Sequence, residues 1–174
     1  MDELLFNLTE WLRSTPLTEL ALWISDTSLS GWIVTHFWAI PIIQVVHILA
    51  ISASFAAVLM LNARIYGVAG HATLGETSRR YTKILWGSLV VLVISGFFMI
   101  MGEPVRELVN PYFWIKMVLV ALGIVVTALF SRSVSRQAAT SDTVGGGAKA
   151  TAAFLIILWC VIMWCGRWIA YAPV

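Results

Sequence analysis

Apolar residues are concentrated in four long stretches of the chain, and more polar segments separate them. Each stretch supplies the roughly 20 mostly apolar residues that a helix needs to cross a bilayer core about 30 Å thick. The spans predicted in this way are 29–61, 84–101, 112–130 and 151–170. The first is longer than one crossing requires, and Pro41 predicts a kink within it. Because backbone polar groups must be satisfied within each span, we expect an all-α integral membrane four-helix bundle.

Residues 1–28 form a separate N-terminal segment with a different pattern. Leu4, Leu8 and Leu12 recur at helical spacing, and Pro16 opens a second amphipathic stretch. This pattern predicts one or two short amphipathic helices lying at the membrane interface on the outer leaflet. A cap packed over the mouth of the bundle is an alternative that the sequence leaves open. The bundle itself is predicted to occupy residues 29–174.

Composition supports a lipid environment. The chain is 60% hydrophobic and 11% charged, against roughly 45–50% and about 25% for a soluble domain. A net charge of +2 gives no reason to expect a nucleic-acid partner. Basic residues are concentrated in the first and third loops, and short cytoplasmic loops carry such an excess. The sequence therefore predicts that both termini lie on the periplasmic or exterior side. The basic residues of these loops are Arg64, Arg79, Arg80, Lys83, Arg132, Arg136 and Lys149.

Two histidines lie within the first predicted span, and ionisable groups inside a membrane are costly. His36 and His47 are eleven residues apart, which on one helix places both rings within about 20° of the same direction and roughly 16 Å apart. An imidazole near mid-membrane must be neutral or ligated, so haem iron or copper could bind His47 or His36. The alternative is that these rings hydrogen-bond a Ser, a Thr or a backbone carbonyl of a neighbouring helix.

The fourth span presents sulfur-containing side chains. Cys160, Met163 and Arg167 follow one another at i, i+3 and i+7 on one helix face. Thiol and thioether ligands, combined with an imidazole such as that of His36, suit copper and especially Cu(I). It is an equally open alternative that Cys160 and Cys165 are small buried hydrophobic residues.

Two cations lie about one turn inside the outer boundary of their spans. Lys116 and Arg167 could extend to the interface, as long cations near helix ends usually do. Alternatively, they neutralise an anionic group held in the mouth of the bundle, such as the propionates of a haem. In that case the neighbouring indole of Trp114 is a candidate hydrogen-bond donor to the same group.

The run VVHILAISASFAAVLMLNARIYG and, after it, Asn110, Phe113 and Lys116 occur in an order that resembles a large group of small four-span bacterial membrane proteins of unknown function. The run is similar to the first span of that group, although Asn62 stands where an acid is usual. Asn110, Phe113 and Lys116 match the N-x-x-F-x-x-K pattern that opens its third span. The similarity covers roughly residues 36–130. More distantly, the chain is similar to CopD-type copper-resistance proteins and to four-helix membrane b-type cytochromes.

This resemblance implies a bacterial inner membrane protein with its cofactor at His47 and with Lys116 as the cation that matters. The absence of a histidine from the second span departs from ordinary dihaem cytochromes. Within one chain the second ligand of a haem would then be a methionine, an unusual oxygen donor or nothing, whereas a homo-oligomer could supply a ligand from another subunit. His71, in the first loop, is expected to be a solvated loop residue.

Three hypotheses follow for the function. The leading one is a b-type cytochrome-like protein that carries electrons through haem b on His47, with a second haem or metal at His36. As a membrane oxidoreductase it would exchange electrons with quinone or with a periplasmic carrier. The second is a copper-handling protein with His36, Met163 and Cys160 as ligands. The third is a cofactor-free accessory subunit. We expect a homo-oligomer, because four spans provide few walls for a planar macrocycle.

Overall fold

The structure is a computed structural model that describes residues 2–68, 72–141 and 143–171, apart from the side chains of Asp2 and Leu5. Over these ranges the chain forms helices and no strand, which confirms the all-α prediction. The helices are α1 (Asp2–Arg13), α2 (Leu17–Ser25), α3 (Ser28–Thr35), α4 (Ala39–Ile65), α5 (Leu74–Gly102), α6 (Pro104–Leu108), α7 (Pro111–Ala138) and α8 (Gly146–Trp168).

Four of the helices are long and apolar enough to cross a membrane, namely α4, α5, α7 and α8. They alternate in direction and pack as a ring, in which α4 lies against α5 and α8, and α7 lies against α8 and α5. Many of their large apolar side chains are exposed on the outside of the bundle. A multi-pass membrane protein built as a four-helix bundle is therefore the architecture that this chain forms.

The two ends of the bundle differ in character. At the end we call the basic end, α4 leads into α5 and α7 leads into α8, and all seven basic residues of the first and third loops lie near these connections. At the end we call the capped end, α1, α2, α3 and α6 pack against the long helices. This separation fits the charge asymmetry in the sequence, and which end faces the periplasm stays a prediction.

The first predicted span, 29–61, is not one helix, so this prediction was wrong. Helix α3 ends at Thr35, His36 has an extended backbone (φ −97°, ψ 97°), and α4 begins at Ala39. Pro41 therefore lies in the first turn of α4, where its missing N–H costs no helical hydrogen bond. The chain changes direction at residues 36–38, and Pro41 helps to start a helix instead of kinking one.

The other three long helices contain their predicted spans almost completely and extend beyond them at the basic end. Helix α5 begins at Leu74, where Thr73 and Glu76 form a reciprocal capping box, and not near residue 84. Helix α7 continues to Ala138, beyond residue 130. Hydropathy locates only the part of a helix that suits hydrocarbon, whereas the polar turns at its end remain helical outside it.

The N-terminal segment caps the bundle through α2. Ala21 is fully buried and packs in one cluster with Leu108, Phe113 and Ile169. Helix α2 is therefore a cap packed over the mouth of the bundle, which is the alternative that the sequence left open. Helix α1 also presents large exposed apolar side chains such as Trp11, and its position on a membrane surface stays a prediction.

Candidate functional site

His47 lies on the inward-facing side of α4, in line with Ala50, Ser54 and Ala57, which are all buried. Its Nδ1 is 2.8 Å from the Oγ of Ser95 on α5. The Ser95 hydroxyl donates its own proton to the Val91 carbonyl at 2.7 Å. With the Ser95 hydroxyl directed to Val91, Ser95 accepts from Nδ1–H of His47, because a hydroxyl has one proton to donate. In this arrangement Nε2 carries the lone pair of the ring.

One glycine lies beside the His47 ring, and another lies beside the stem of Lys116. A Cβ placed on Gly96 of α5 would lie 3.6 Å from Cε1 of His47. Lys116 of α7 is within electrostatic range of the His47 ring. The stem of Lys116 passes Gly166 of α8, where an added Cβ would lie 3.6 Å from the lysine Cδ. All four long helices therefore contribute to one region, which we call the His47 cluster: His47, Ser95, Gly96, Lys116 and Gly166.

Glu107 on α6 is a buried acid at the edge of this cluster, and only 6% of it is exposed. Burial raises the pKa of its carboxyl, while the nearby cations Lys116 and Arg106 act in the opposite direction. Glu107 also borders a small cavity that Gln44 of α4 and Gly102 of α5 help to line. In the sequence Glu107 is one of the charges in the loop between the second and third predicted spans. No local pattern signals its burial, because the covering helix α2 is far away in sequence.

His36 is not part of the His47 cluster. It ends α3, where its Nδ1–H donates to the Trp32 carbonyl at 2.7 Å and its ring packs on the Trp32 ring at a centroid distance of 4.6 Å. The break after Thr35 means that His36 and His47 do not belong to one helix. The predicted stripe of two imidazoles on one helix face is therefore wrong.

The predicted copper ligands are not assembled. Cys160 is exposed on the outside of α8, and Met163 is partly exposed one turn further along. In the described parts of the chain, α3 makes no contact with α8, so His36 does not join the two sulfur-containing residues. Within those same ranges there is also no group of three or more His, Cys, Asp or Glu residues that could hold a metal ion.

Lys116 and Arg167 were predicted to neutralise a propionate and Trp114 to donate a hydrogen bond to it, and of these three residues Lys116 alone belongs to the His47 cluster. The Trp114 indole donates to the Leu108 carbonyl at 2.9 Å, which secures the turn between α6 and α7. Arg167 donates to the Tyr171 hydroxyl at 2.5 Å and stacks over the same ring at 4.8 Å. Both side chains therefore have local structural roles.

The N-x-x-F-x-x-K pattern has a structural explanation. Asn110 is fully buried, accepts a hydrogen bond from the Tyr112 N–H at 3.0 Å as the N-cap of α7, and donates to the Ile169 carbonyl at 3.1 Å. Phe113 is buried beneath α2. Lys116, one turn further, enters the His47 cluster. The asparagine of the motif thus joins the beginning of α7 to the end of α8, and its lysine places a cation beside His47.

Comparisons with protein-family models, with curated proteins and with solved structures find no match. The resemblance to four-span bacterial membrane proteins and to b-type cytochromes therefore stays a prediction. His71, expected to be a solvated loop residue, lies outside the described residues.

Proposed function

We propose that this protein is a b-type cytochrome-like electron carrier of the membrane, in which Nε2 of His47 ligates the iron of a haem b. The observation that carries the proposal is the hydrogen bond from Nδ1–H of His47 to Ser95. Metal-ligating histidines characteristically donate their second ring N–H to an acceptor, which fixes the tautomer and the orientation of the ring. Ser95 serves as that acceptor here and leaves Nε2 able to bind a metal.

The other members of the His47 cluster fit the same group. Gly96 and Gly166 let the His47 ring and the Lys116 stem pack closely against the backbones of α5 and α8. Lys116 is a cation in the outer part of the bundle, suited to pair with an anionic propionate. Haem bound at this site would supply one-electron transfer across the outer half of the bundle. The residues of the chain would ligate it, orient it and balance its charge.

His47 would supply one ligand to the haem iron. Among the described residues, no second histidine lies beside His47. A methionine of the same chain or a residue of a second copy would supply the other ligand, and in the second case the protein would be a homo-oligomer. The electron donor and acceptor would be quinone in a bacterial inner membrane and a periplasmic carrier, with both termini on the periplasmic side.

A second candidate function is a cofactor-free accessory subunit, and the same hydrogen bond favours it. The contact with Ser95 satisfies one nitrogen of His47 by joining two helices, which is sufficient for a structural histidine. The two candidates differ in whether Nε2 of His47 has a ligand. The copper-handling hypothesis gains no support from the geometry, because its ligands are separated.

Haem and iron content distinguishes these candidates. The full chain would be expressed with a haem precursor, purified in mild detergent, and analysed for protohaem, iron and copper. The cytochrome proposal expects about one haem per chain in the wild type and none in His47→Ala. His36→Ala is the matched control, and it should retain the haem at His47. Purified protein free of haem under these conditions would support the accessory subunit.

A further inference from the structure

A groove of about 790 Å³ opens at the basic end of the bundle, between the end of α4 and the beginning of α5. Met60 and Arg64 of α4 line one side, and the first turns of α5 line the other. The lining residues of α5 are Glu76, Thr77, Arg79, Arg80, Tyr81, Lys83 and Ile84. The groove is remote from the His47 cluster, which lies towards the capped end, and the proposed function does not use it.

The groove is strongly basic. Its lining contains four cations and one acid, Glu76. The Glu76 carboxylate is engaged in the capping box, where it accepts hydrogen bonds from the backbone N–H and the hydroxyl of Thr73. In the part of the chain that the structure describes, the exposed side chains of Arg79, Arg80 and Lys83 form no ion pair. An anion in this groove would therefore meet several cations that are available to it.

One arginine of the groove, Arg64, is held in a fixed orientation. The Nε–H of Arg64 donates to the Ala72 carbonyl at 2.7 Å, which fixes the guanidinium beside the start of α5. Guanidinium groups present their N–H donors in a planar fork that matches phosphate oxygens. A phosphate group is accordingly the anion that this set of side chains suits best.

The apolar part of the lining indicates what carries that phosphate. Met60 and Ile84 are about 40% exposed and belong to the membrane-length stretches of α4 and α5. They lie further along their helices towards the middle of the bundle than the cations do. A ligand with a phosphate at one end and hydrocarbon at the other would satisfy both parts of the groove, whereas a free phosphate would use only the basic part.

We propose that this groove binds an anionic glycerophospholipid, whose phosphate contacts Arg79, Arg80 and Lys83 and whose acyl chains lie along Met60 and Ile84. The site is distinct from a general attraction of the basic end for anionic membranes. Arg132 and Arg136 on α7 are exposed at the same end and do not line the groove. Substituting Arg132 and Arg136 therefore removes as much charge from the basic end as substituting Arg79 and Arg80 does, and it leaves the groove intact.

The test is native mass spectrometry of the full chain in detergent, titrated with phosphatidylglycerol, phosphatidylcholine or inorganic phosphate. We expect saturable binding of one phosphatidylglycerol per chain and weaker binding of phosphatidylcholine. Each cation near a membrane surface contributes about fivefold to such binding, so Arg79→Gln/Arg80→Gln should weaken it about thirtyfold. Arg132→Gln/Arg136→Gln, which removes the same charge, should leave the affinity within about twofold of the wild type.

Three results would overturn the proposal. Equal losses in the two double variants would mean that the field of the basic end, and not the groove, holds the lipid. Equal binding of phosphatidylcholine would remove the role of the headgroup charge. Displacement of phosphatidylglycerol by an equal concentration of inorganic phosphate would identify a free-anion site. If the Arg79→Gln/Arg80→Gln variant loses its helix content, Lys83→Gln replaces it, with an expected loss of about fivefold.

Discussion

Nδ1 of His47 and Oγ of Ser95 lie 2.8 Å apart and join α4 and α5, in their halves nearer the capped end, through one hydrogen bond. The Ser95 hydroxyl is in turn tied to the Val91 carbonyl. The result is a short chain of hydrogen bonds that ends on the α5 backbone and orients the His47 ring.

Ser95→Ala should destabilise the bundle, because it leaves the Nδ1–H of His47 without its acceptor. An unsatisfied polar group in a membrane protein interior costs roughly 1 to 3 kcal/mol. Unfolding by SDS titration in mixed micelles measures the change. Ser52→Ala is the control, since the exposed Ser52 hydroxyl bonds only to the Ile48 carbonyl of its own helix. Equal effects of the two substitutions would show that the contact with His47 contributes nothing.

The size of the residue at position 96 should determine whether the His47 ring keeps its position. Gly96→Ala should be tolerated, because its Cβ would make an ordinary contact 3.6 Å from Cε1. Gly96→Leu adds atoms beyond that Cβ and should displace the ring, with a lower thermal midpoint and loss of any haem bound to His47. Gly87→Leu, where nothing lies within 4 Å of an added Cβ, should have little effect. Tolerance of leucine at position 96 would contradict the packing described.

Asn110→Ala should be among the most destabilising substitutions at the capped end. It removes the N-cap of α7 and leaves the Ile169 carbonyl without its donor, which together should cost roughly 2 to 4 kcal/mol. Asn110→Asp keeps an acceptor for the Tyr112 N–H but loses the donor to Ile169. We therefore expect Asn110→Asp to be destabilised as well. A change below about 0.5 kcal/mol for Asn110→Ala in SDS titration would be inconsistent with this double role.

Glu107 should make the stability of the protein depend on pH. Because burial raises its pKa in the folded state above the ordinary value of 4.5, the folded protein retains a proton that the unfolded chain releases. This contribution to the free energy of unfolding is fully present below pH 4.5 and is lost as pH rises through the raised pKa. Glu107→Gln should therefore flatten the pH dependence over that interval.

Glu3→Gln is the control for Glu107→Gln, because it removes one carboxylate from an exposed position of α1. SDS titrations of both variants and the wild type at several pH values would measure the slopes. An identical slope for Glu107→Gln and the wild type would show that Glu107 is not the group responsible.

The four long helices could be predicted from the sequence because their signal is local. A continuous apolar stretch of sufficient length has few alternatives to a membrane helix, and its position follows from hydropathy alone. The break at residues 36–38 could not be predicted in the same way. The hydropathy of that region is continuous, and Pro41 is compatible both with a kink inside a helix and with the first turn of a new one.

The candidate site could be predicted only in part, for a related reason. His47 and Lys116 stand out in the sequence because polar groups in a span are costly. Their partners depend on how the helices pack, so Ser95 and Gly166 had no signal beyond being small residues suited to close packing. The separation of His36 from Cys160 and Met163 likewise depends on which helices touch. Spacing along one helix does not contain that information.

The most direct test of the central claim is the visible absorption spectrum of the purified full chain, oxidised and dithionite-reduced, compared with His47→Ala. The account predicts a Soret band and a reduced α band in the wild type and in His36→Ala, and neither band in His47→Ala that inserts and folds normally. An unchanged spectrum in His47→Ala would contradict haem ligation by this residue. A wild type without visible bands after growth with a haem precursor would contradict the cytochrome function itself.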